Sequence, residues 1–575
     1  MRIFEPTAPE QKLIEATATG GCANLGTCDP DTDNPANGAL WAADRTIRAE
    51  VIRNLCAGVN PNWQVHPRGI SVGRAKITGQ LNLGRTSIPH HLRLINCHFD
   101  SQIDLRWAET RTLDFSGSCI PAIYGDSLVV RGDMSLSKCI VREGEVRLVR
   151  AQIHGNLNCS HATVRNSTGP AFNADWIDCK GYVLLDHVKT RGEIRLVGAA
   201  INGDFSCIGA IMENQDHVAL RADCVKAGYV YLSGGFTAKG RVRLTVAEIG
   251  RDLICIGGTF ENPNGEALST DHLHARGCVF LSKGFTARGE VRLLNMRVES
   301  DLRCDGATFE NSGKTALSAQ NMKVVGTFRW RDLNKRPSGR VIFSHATVGQ
   351  LEVDSSGWPE PGNLELDGFV YDTFTGTKTP TSSKDREEWL KLQPRFRPQP
   401  YEQLVSVLRR MGYEEQARRI AIAKQDALLR SGELRKLDWL WQWTKKITIS
   451  YGYRPWLAIL WMVGFILLGS AVFWSAREND VMKPAKERVF MDQNYQKSGK
   501  PPSAHPEFQP FLYSLDVFLP IVDLHQESYW LPRPVPAWPY WLSWCYVAYM
   551  VFHIIAGWLL TTLLVVGLTG LVKKD

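Results

Sequence analysis

The chain has 575 residues, enough for two or three domains, and a formal net charge of +8. That charge is modest for the length, so we predict no nucleic-acid partner. The mean hydropathy of −0.19 averages a polar N-terminal two-thirds with an apolar C-terminal end. None of the 14 cysteines forms a C-x-x-C pair, which leaves zinc-ribbon and thioredoxin-type sites without support.

Residues 1–65 are predicted to form a helical cap. The N-terminus has no apolar stretch of the kind found in a cleavable signal peptide. Cys22 and Cys28 are separated by five residues, a spacing that favours two loop thiols over a metal site or a disulfide. Residues 39–56 carry apolar side chains at helical spacing and predict a capping helix, because a solenoid needs a cover over its open end. The apolar positions are Leu40, Ile47, Val51, Ile52 and Leu55, and Arg45, Arg48 and Arg53 lie between them.

Residues 66–372 contain a repeat of about 48 residues, the strongest signal in the chain. Three landmarks recur in phase. The first is a glycine that opens G-E-V-R-L or a close variant, at Gly144, Gly192, Gly240, Gly289 and, weakly, Gly339. The second is the last residue of N-L-N-C, D-F-S-C, D-L-I-C and D-L-R-C, at Cys159, Cys207, Cys255 and Cys304. The third is a glycine before an apolar strand, at Gly181, Gly228, Gly277 and Gly326.

Short strands at a fixed period, with no helices between them, predict an all-β, right-handed parallel β-helix. One repeat then makes two coils of ~24 residues, and about 300 residues make a rod on the order of 60 Å long. The in-phase cysteines line one wall. We interpret them as small apolar side chains that fill a narrow core, in preference to a metal or redox wire.

Residues 373–400 are predicted to be a linker and 401–450 a basic helical neck. Tyr401, Leu404 and Leu408 precede Gly412 and Ala417 in a helix–turn–helix pattern similar to one tetratricopeptide unit. A single such unit cannot form a peptide groove, so a neck or an oligomerisation pair is the better interpretation. Residues 402–454 carry eleven Lys and Arg and six Asp and Glu, a net of +5.

Clustered tryptophans and lysines indicate that the end of the neck lies at the membrane interface. They are Trp439, Trp441, Trp443, Lys445 and Lys446. Two uncharged stretches follow, 455–475 and 541–572, and each is long enough to cross a ~30 Å hydrocarbon core. The lipid bilayer is therefore the first predicted partner.

Basic residues lie before the first apolar stretch and after the second. By the positive-inside rule both termini face the cytoplasm, and residues 477–540 lie outside. The basic residues are Arg435, Lys436, Lys445, Lys446, Arg454, Lys573 and Lys574. Unpaired thiols also fit a reducing compartment. We therefore expect a multi-pass protein of a bacterial inner membrane with a cytoplasmic solenoid.

The outer loop contains an apolar segment, 508–524, that is too short to span a bilayer, and Pro520 ends any helix there. It is either re-entrant or rests on the outer leaflet. The span, short segment, span layout resembles that of two-helix tetrameric ion channels, although T-V-G-Y-G is absent. Asp516, Asp523 and Glu527 would then ring a pore mouth in a homo-oligomer. His553 lies within the second span, as a functional group or as a neutral helix–helix contact.

The chain as a whole resembles a group of bacterial membrane proteins with degenerate pentapeptide repeats, often labelled "membrane-associated oxidoreductase". The resemblance rests on the repeats and on A-A-D-R-T-I-R-A-E-V-I-R (42–53), H-P-R-G-I (66–70), Q-P-Y-E-Q-L-V-S-V-L-R-R-M-G (399–412) and Y-S-L-D-V-F-L-P-I-V-D-L (513–524). It implies a pentapeptide-like solenoid that acts as a binding or scaffold module.

No dinucleotide, phosphate-loop, zinc-protease or nucleophile-elbow motif is present in the sequence. We therefore predict no catalytic residues, cofactor or metal ligands, and leave enzymatic activity open. Three hypotheses follow: a membrane-anchored, non-catalytic scaffold or sensor with a cytoplasmic protein partner, an oligomeric ion channel or pore-forming effector gated by the solenoid, and an oxidoreductase.

Overall fold

The structure is a computed structural model that describes residues 5–27, 29–380, 382–492, 495, 501–503, 505–534 and 540–569. The chain divides into two compact units, Met1–Tyr413 and Glu414–Asp575. The first unit is a parallel β-solenoid of about 13 turns, which confirms the predicted fold class. Cys28, Lys573 and Lys574 lie outside the described residues.

The largest sheet of the solenoid has 25 parallel strands. Its strands in chain order are Ala23–Asn24, Ile70–Gly73, Ser87–Ile88, Leu92–Ile95, Glu109–Thr110, Leu113–Asp114, Val129–Val130, Met134–Ser135, Gln152–Ile153, Leu157–Asn158, Asp178–Cys179, Val183–Leu184, Ala200–Ile201, Phe205–Ser206, Lys226–Ala227, Val230–Tyr231, Glu248–Ile249, Leu253–Ile254, His274–Ala275, Val279–Phe280, Arg297–Val298, Leu302–Arg303, Lys323–Trp330, Thr347–Val353 and Val370–Phe374.

The second large sheet has 16 strands, and a three-stranded sheet precedes it at the N-terminal end. The 16 strands are Leu81–Asn82, Ile103–Asp104, Ile123–Tyr124, Ile140–Val141, Val146–Arg147, Thr163–Arg165, Phe172–Asn173, Lys189–Arg191, Ile194–Arg195, Ile211–Arg221, Thr237–Arg243, Thr259–Ser269, Thr286–Arg292, Thr308–Ser318, Ser338–Ile342 and Leu364–Glu365. The short sheet contains Thr46–Arg48, Lys76–Thr78 and His98–Phe99.

The 48-residue period divides into two unequal coils. Asp178 pairs with Ala200, Ala200 with Lys226, Lys226 with Glu248 and Glu248 with His274, so successive steps are 22, 26, 22 and 26 residues. Each longer coil carries an insertion of four residues, at 214–217, 262–265 and 311–314. We call these insertions and the related loop 166–169 the Asn loops.

Each Asn loop is closed by its first residue. The side-chain amides of Asn166, Asn214, Asn262 and Asn311 donate to the carbonyl four residues ahead, at 2.8, 2.7, 2.8 and 2.6 Å. In the next coil, a glycine lies opposite each Asn loop.

Four of the five glycines of the first landmark lie directly beneath the Asn loops, and the fifth, Gly144, lies against the Pro121 carbonyl. Four loop residues, 262–265, stand opposite the single residue Gly289, which has a φ of 125°. A Cβ on Gly289 would overlap the Asn262 carbonyl oxygen. Gly192, Gly240 and Gly339 have positive φ and meet the same obstruction, which explains why this residue recurs.

The second and third landmarks contact each other across the stack. The carboxylate of Asp252 accepts a hydrogen bond from the Cys278 N–H at 2.7 Å, and Gly277 leaves the room for it. Asn156, Asp204 and Asp301 make the same contact with the residues after Gly181, Gly228 and Gly326. The recurring Asp or Asn therefore fastens one coil to the next.

The in-phase cysteines are core residues separated by leucines. The sheet register aligns Cys207 with Leu232 and Leu232 with Cys255, and all three are fully buried. Consecutive cysteines thus lie two coils apart, roughly 10 Å, which is too far for a disulfide. Burial raises the pKa of the Cys207 and Cys255 thiols above the ordinary range. These observations favour the packing interpretation over a redox wire.

An aromatic stack fills the C-terminal half of the core. Phe236, Phe260, Phe285, Phe309 and Trp330 follow one another with ring centroids 5.2–5.7 Å apart. The stack continues through Trp358 to Trp389, at 6.1 and 5.4 Å. Trp389 belongs to a helix that covers the end of the solenoid.

Both ends of the solenoid are covered by helices. At the N-terminal end lie α1 (Ala8–Thr19) and α2 (Ala49–Ala57), together with 3-10 turns at Pro35–Leu40 and Ala43–Arg45. The capping helix begins at Ala49 and not near Leu40, because Thr46–Arg48 pairs with Lys76–Thr78 as a strand. At the C-terminal end α3 (Ser383–Leu390) occupies part of the expected linker, since Trp389 and Leu390 are buried. Helix α4 (Pro398–Arg410) follows it, and Gln403 donates to the Tyr371 carbonyl at 2.6 Å.

The second unit is helical. Its helices are α5 (Glu414–Arg430), α6 (Lys436–Ile449), α7 (Trp456–Glu478), α8 (Glu487–Phe490), α9 (Pro510–Phe518), α10 (Gln526–Tyr529) and α11 (Tyr540–Leu568), with a 3-10 turn at Ser450–Gly452. The strands Met482–Pro484 and Trp530–Pro532 form an antiparallel pair.

Gly289→Ala is expected to lower the free energy of unfolding by about 3 kcal/mol, because a new Cβ meets a backbone carbonyl and the backbone keeps a positive φ. Gly313→Ala is the matched control. Gly313 also has a positive φ, 73°, but nothing lies within 4 Å of its added Cβ, so the cost is about 1 kcal/mol. Denaturant unfolding of the two variants measures the difference, and equal losses would contradict the role of the Asn loops.

Brief treatment with N-ethylmaleimide should label Cys224, which is exposed, and leave Cys207 and Cys255 unmodified. Raising the pH from 7 to 9 should not make Cys207 and Cys255 reactive, because burial keeps the pKa of both thiols above that range. Peptide mass spectrometry reads each site. Labelling of Cys207 at the rate of Cys224 would show that the core opens.

Candidate functional site

Helices α7 and α11 are long and apolar enough to cross a membrane, with a mean hydropathy of 2.2 each. Only 22% and 28% of their most apolar stretches are buried. Large apolar side chains therefore point away from the unit, among them Leu460, Leu467 and Trp474 on α7 and Ile555 and Trp558 on α11. Exposed apolar surface of this extent is typical of a membrane or a protein interface, not of a core helix in a soluble protein.

The short helix α9 packs between these two helices. Tyr513, Ser514 and Phe518 are fully buried. The Ser514 hydroxyl donates to the Ile466 carbonyl at 2.9 Å and lies 3.1 Å from His553 Nε2. Ile466 and His553 lie near the midpoints of α7 and α11, so Ser514 is at the mid-length of both.

Helix α9 runs inward from the C-terminal end of α7. Phe508, just before α9, packs with Val481 and Trp530 beyond that end. Phe518, its last residue, packs with Ile466 and Leu560 farther along the two long helices. The nine residues of α9 therefore descend between α7 and α11 as far as their middle.

Two glycines make this close approach possible. A Cβ on Gly469 would overlap Ser514 Oγ and come within 2.6 Å of His553 Cε1. A Cβ on Gly557 would overlap the backbone carbonyl of Phe518. Any larger side chain at either position would displace α9 from between the long helices.

His553 holds this junction together. Because Ser514 donates to Ile466, its oxygen accepts the Nε2–H of His553, so Nε2 is a protonated nitrogen of this ring. The ring packs against Phe518 and Tyr549, with centroids 4.9 and 5.5 Å away. Nδ1 is buried and has no hydrogen-bond partner among the described residues. His553 therefore contacts a neighbouring helix, and the choice between its two expected roles stays a prediction.

The three carboxylates of the predicted pore mouth differ in environment. Asp516 is buried, and its carboxylate accepts the N–H groups of Leu524 at 2.6 Å and Glu527 at 2.8 Å. Asp523 and Glu527 are exposed, and Asp523 lies 2.6 Å from His525 Nδ1. Asp516 thus folds the segment after α9 back on itself, and the pore-mouth role of the set stays a prediction.

The residues expected at the membrane interface are exposed on one helix, α6. Trp439, Trp441 and Trp443 are each between 43% and 49% exposed. Lys445 lies 5.8 Å from the centre of the Trp441 ring, and burial lowers the pKa of its ammonium. Lys446 forms an ion pair with Asp426 at 3.0 Å. The interfacial role of these residues stays a prediction.

The solenoid carries a polar groove between the Asn loops 166–169 and 214–217. Its volume is about 760 Å³. A ladder of alternating charge runs along this face, because the register stacks Arg191, Glu213 and Lys239 on successive coils. Lys239 lies 2.9 Å from Glu213 and holds the pKa of that carboxyl below its usual range. Glu261, Arg288, Glu310 and Lys335 continue the alternation.

The part of the chain that the structure describes gives little support for a metal site or an enzymatic site. No group of three or more His, Cys, Asp or Glu side chains there is arranged to hold a metal ion. Comparison with protein-family models, with curated proteins and with solved structures finds no match for this chain. The pentapeptide-repeat and oxidoreductase resemblances therefore stay expectations.

Gly469→Ala should loosen the packing of α9 and lower the thermal stability of the detergent-solubilised protein by the equivalent of about 1–3 kcal/mol. Gly464→Ala on the same helix is the control, because nothing lies within 4 Å of its added Cβ. Thermal unfolding followed by tryptophan fluorescence measures both. If the two variants behaved alike, α9 would not be seated between the long helices.

Proposed function

We propose that the chain forms a homo-oligomeric, cation-conducting pore, in which α7 and α11 span the bilayer and residues 508–527 enter it from the outer side. The observation that carries the proposal is the pair of contacts that Ser514 makes with Ile466 and His553. A helix resting on the outer leaflet would contact the ends of the long helices and not their middle.

The segment after α9 supports a water-filled path. Residues 519–525 lie outside any helix or strand. Leu524 is hydrogen-bonded to Asp516, which is only two residues, about 3 Å of helix rise, from Ser514. Irregular backbone at this depth is tolerated only where protein buries it or where it lines a water-filled cavity.

Polar side chains on this segment argue for water over lipid. The side chains of Asp523 and His525 are 75% and 71% exposed in the single chain. Ionisable groups at membrane depth normally face a bundle interior or an aqueous path. Copies of the chain arranged around one axis would enclose these side chains, and a carboxylate from each copy would attract cations.

The basic residues before α7 and the exposed tryptophans of α6 support a cytoplasmic solenoid at the inner face of the membrane. With both long helices in the bilayer, the strand pair Met482–Pro484 and Trp530–Pro532 closes the outer loop.

Planar-bilayer recording on the full chain tests the proposal. Asp523→Asn should reduce cation conductance severalfold at low salt and less at high salt, because the local attraction for cations is screened by added ions. Asp480→Asn is the control: Asp480 is equally exposed, but it follows the end of α7 and pairs with Lys483 at 2.6 Å. Absence of current from a reconstituted oligomer, or equal effects of both substitutions, would refute the pore.

A scaffold that binds a cytoplasmic protein is the second candidate. It is favoured by the groove between the Asn loops, whose fixed spacing and mixed charges suit a protein surface of complementary alternating charge. The same recordings separate the two candidates. A monomeric, non-conducting chain in nanodiscs leaves the scaffold as the better explanation.

A further inference from the structure

Arg386, on the capping helix α3, is a buried cation that forms no ion pair with any described residue. It is 4% exposed, and its guanidinium carbon lies 3.5 Å from the centre of the Phe374 ring. Its Nε is buried and has no hydrogen-bond partner among the described residues. Burial lowers the pKa of Arg386 to about 10. A guanidinium removed from water normally has a carboxylate beside it.

Trp389, one helical turn further on the same face of α3, repeats the anomaly. It is 5% exposed, and its Nε1 has no acceptor among the described residues. The Tyr371 hydroxyl, on a ring whose centroid is 6.3 Å from that of Trp389, is also buried without a partner there. Arginine and indole nitrogens are donors only, so the Arg386 Nε and the Trp389 Nε1 need an acceptor that the described residues do not supply.

A cavity of about 150 Å³ lies against these donors. Arg386, Trp389, Trp358 and Arg336 are among its lining residues. Trp358 and Trp389 are the last rings of the aromatic stack. The cavity is smaller than pockets that enclose drug-sized molecules, so it suits a compact ion.

The carboxylates that line the cavity are engaged elsewhere or lie at its rim. Asp354 accepts backbone N–H groups from Asp332, Ser356 and Gly357, at 2.6, 3.1 and 2.8 Å. Asp385 and Glu388 are on the exposed side of α3. None of the three forms an ion pair with Arg386 within the described residues, so the Arg386 guanidinium lacks a paired carboxylate there.

We propose that this cavity, at the C-terminal end of the solenoid, binds a small oxyanion through the Arg386 guanidinium and the Trp389 indole N–H. Phosphate and a simple carboxylate share the required chemistry: negative oxygens that accept charge-assisted hydrogen bonds. The site is independent of the pore and belongs entirely to the first unit.

Thermal unfolding of the full chain in detergent tests the site, in Tris-chloride at constant ionic strength with added phosphate or acetate. The wild-type Tm should rise with the logarithm of the bound anion's concentration. A rise with phosphate alone identifies a phosphate-type ligand, and a rise with acetate identifies a carboxylate. Trp389→Phe keeps the ring and removes the N–H, and it should weaken the apparent affinity about tenfold.

Arg386→Gln separates binding from a structural role. It should abolish the anion-dependent rise and leave the Tm without anion equal to or above that of the wild type, because an unpaired buried charge is removed. Arg397→Gln, in an exposed side chain 3.7 Å from Asp367, should change neither quantity. No anion-dependent rise in the wild type, or the same rise in Arg386→Gln, would overturn the proposal.

Discussion

The in-register stacking of parallel coils is the constraint on which the first unit depends. Each residue lies roughly 4.8 Å from its equivalents above and below, so any chemical feature must be compatible with its own neighbours. Cysteine alternates with leucine, positive charge alternates with negative, and a glycine lies under each inserted loop. The 48-residue period is the shortest repeat that holds these alternations, because two coils are needed to match each feature with its complement.

The fold class could be predicted from the sequence because these complements recur at fixed spacing. Gly240, Gly289 and Gly339 were visible as a pattern, although their cause, the Asn loop above each of them, was not. The ends of the solenoid were harder to predict, because each cap occurs only once in the chain and gives no repeating pattern. The box Thr7–Glu10 marks the start of α1, with the Thr7 N–H donating to Glu10 at 2.9 Å, and it could have been found by its S/T-x-x-E pattern. Helix α3 begins with a similar signal, because the Ser382 hydroxyl accepts the Asp385 N–H at 3.2 Å, but its role as a cap follows only from the place of Trp389 at the end of the aromatic stack.

In the second unit, the features that depend on composition could be predicted from the sequence. The contacts between residues far apart in sequence could not. Apolar length located the two long helices, and Pro520 marked the end of α9. The junction of Gly469, Ser514 and His553 joins segments about 40 residues apart in sequence, and a glycine or serine in an apolar stretch carries no sign of its partner. Asp516 was assigned to the short apolar segment and lies in α9, but its two backbone donors follow only from the path of the chain after α9.

The two caps of the solenoid differ in whether a buried arginine is paired with a carboxylate. At the N-terminal end Arg45 is 6% exposed and lies 3.0 Å from Asp33, and the carboxylate of Glu10, fully buried, lies 2.7 Å from Arg48. Each buried charge there has its counterpart within the fold. At the C-terminal end Arg386 is buried as deeply and stacks on Phe374, yet it forms no ion pair among the described residues. Buried charges elsewhere on the solenoid are paired within the fold, and an exception indicates that the partner comes from outside the chain. The Arg386 cavity is therefore the position on the solenoid where a ligand is expected.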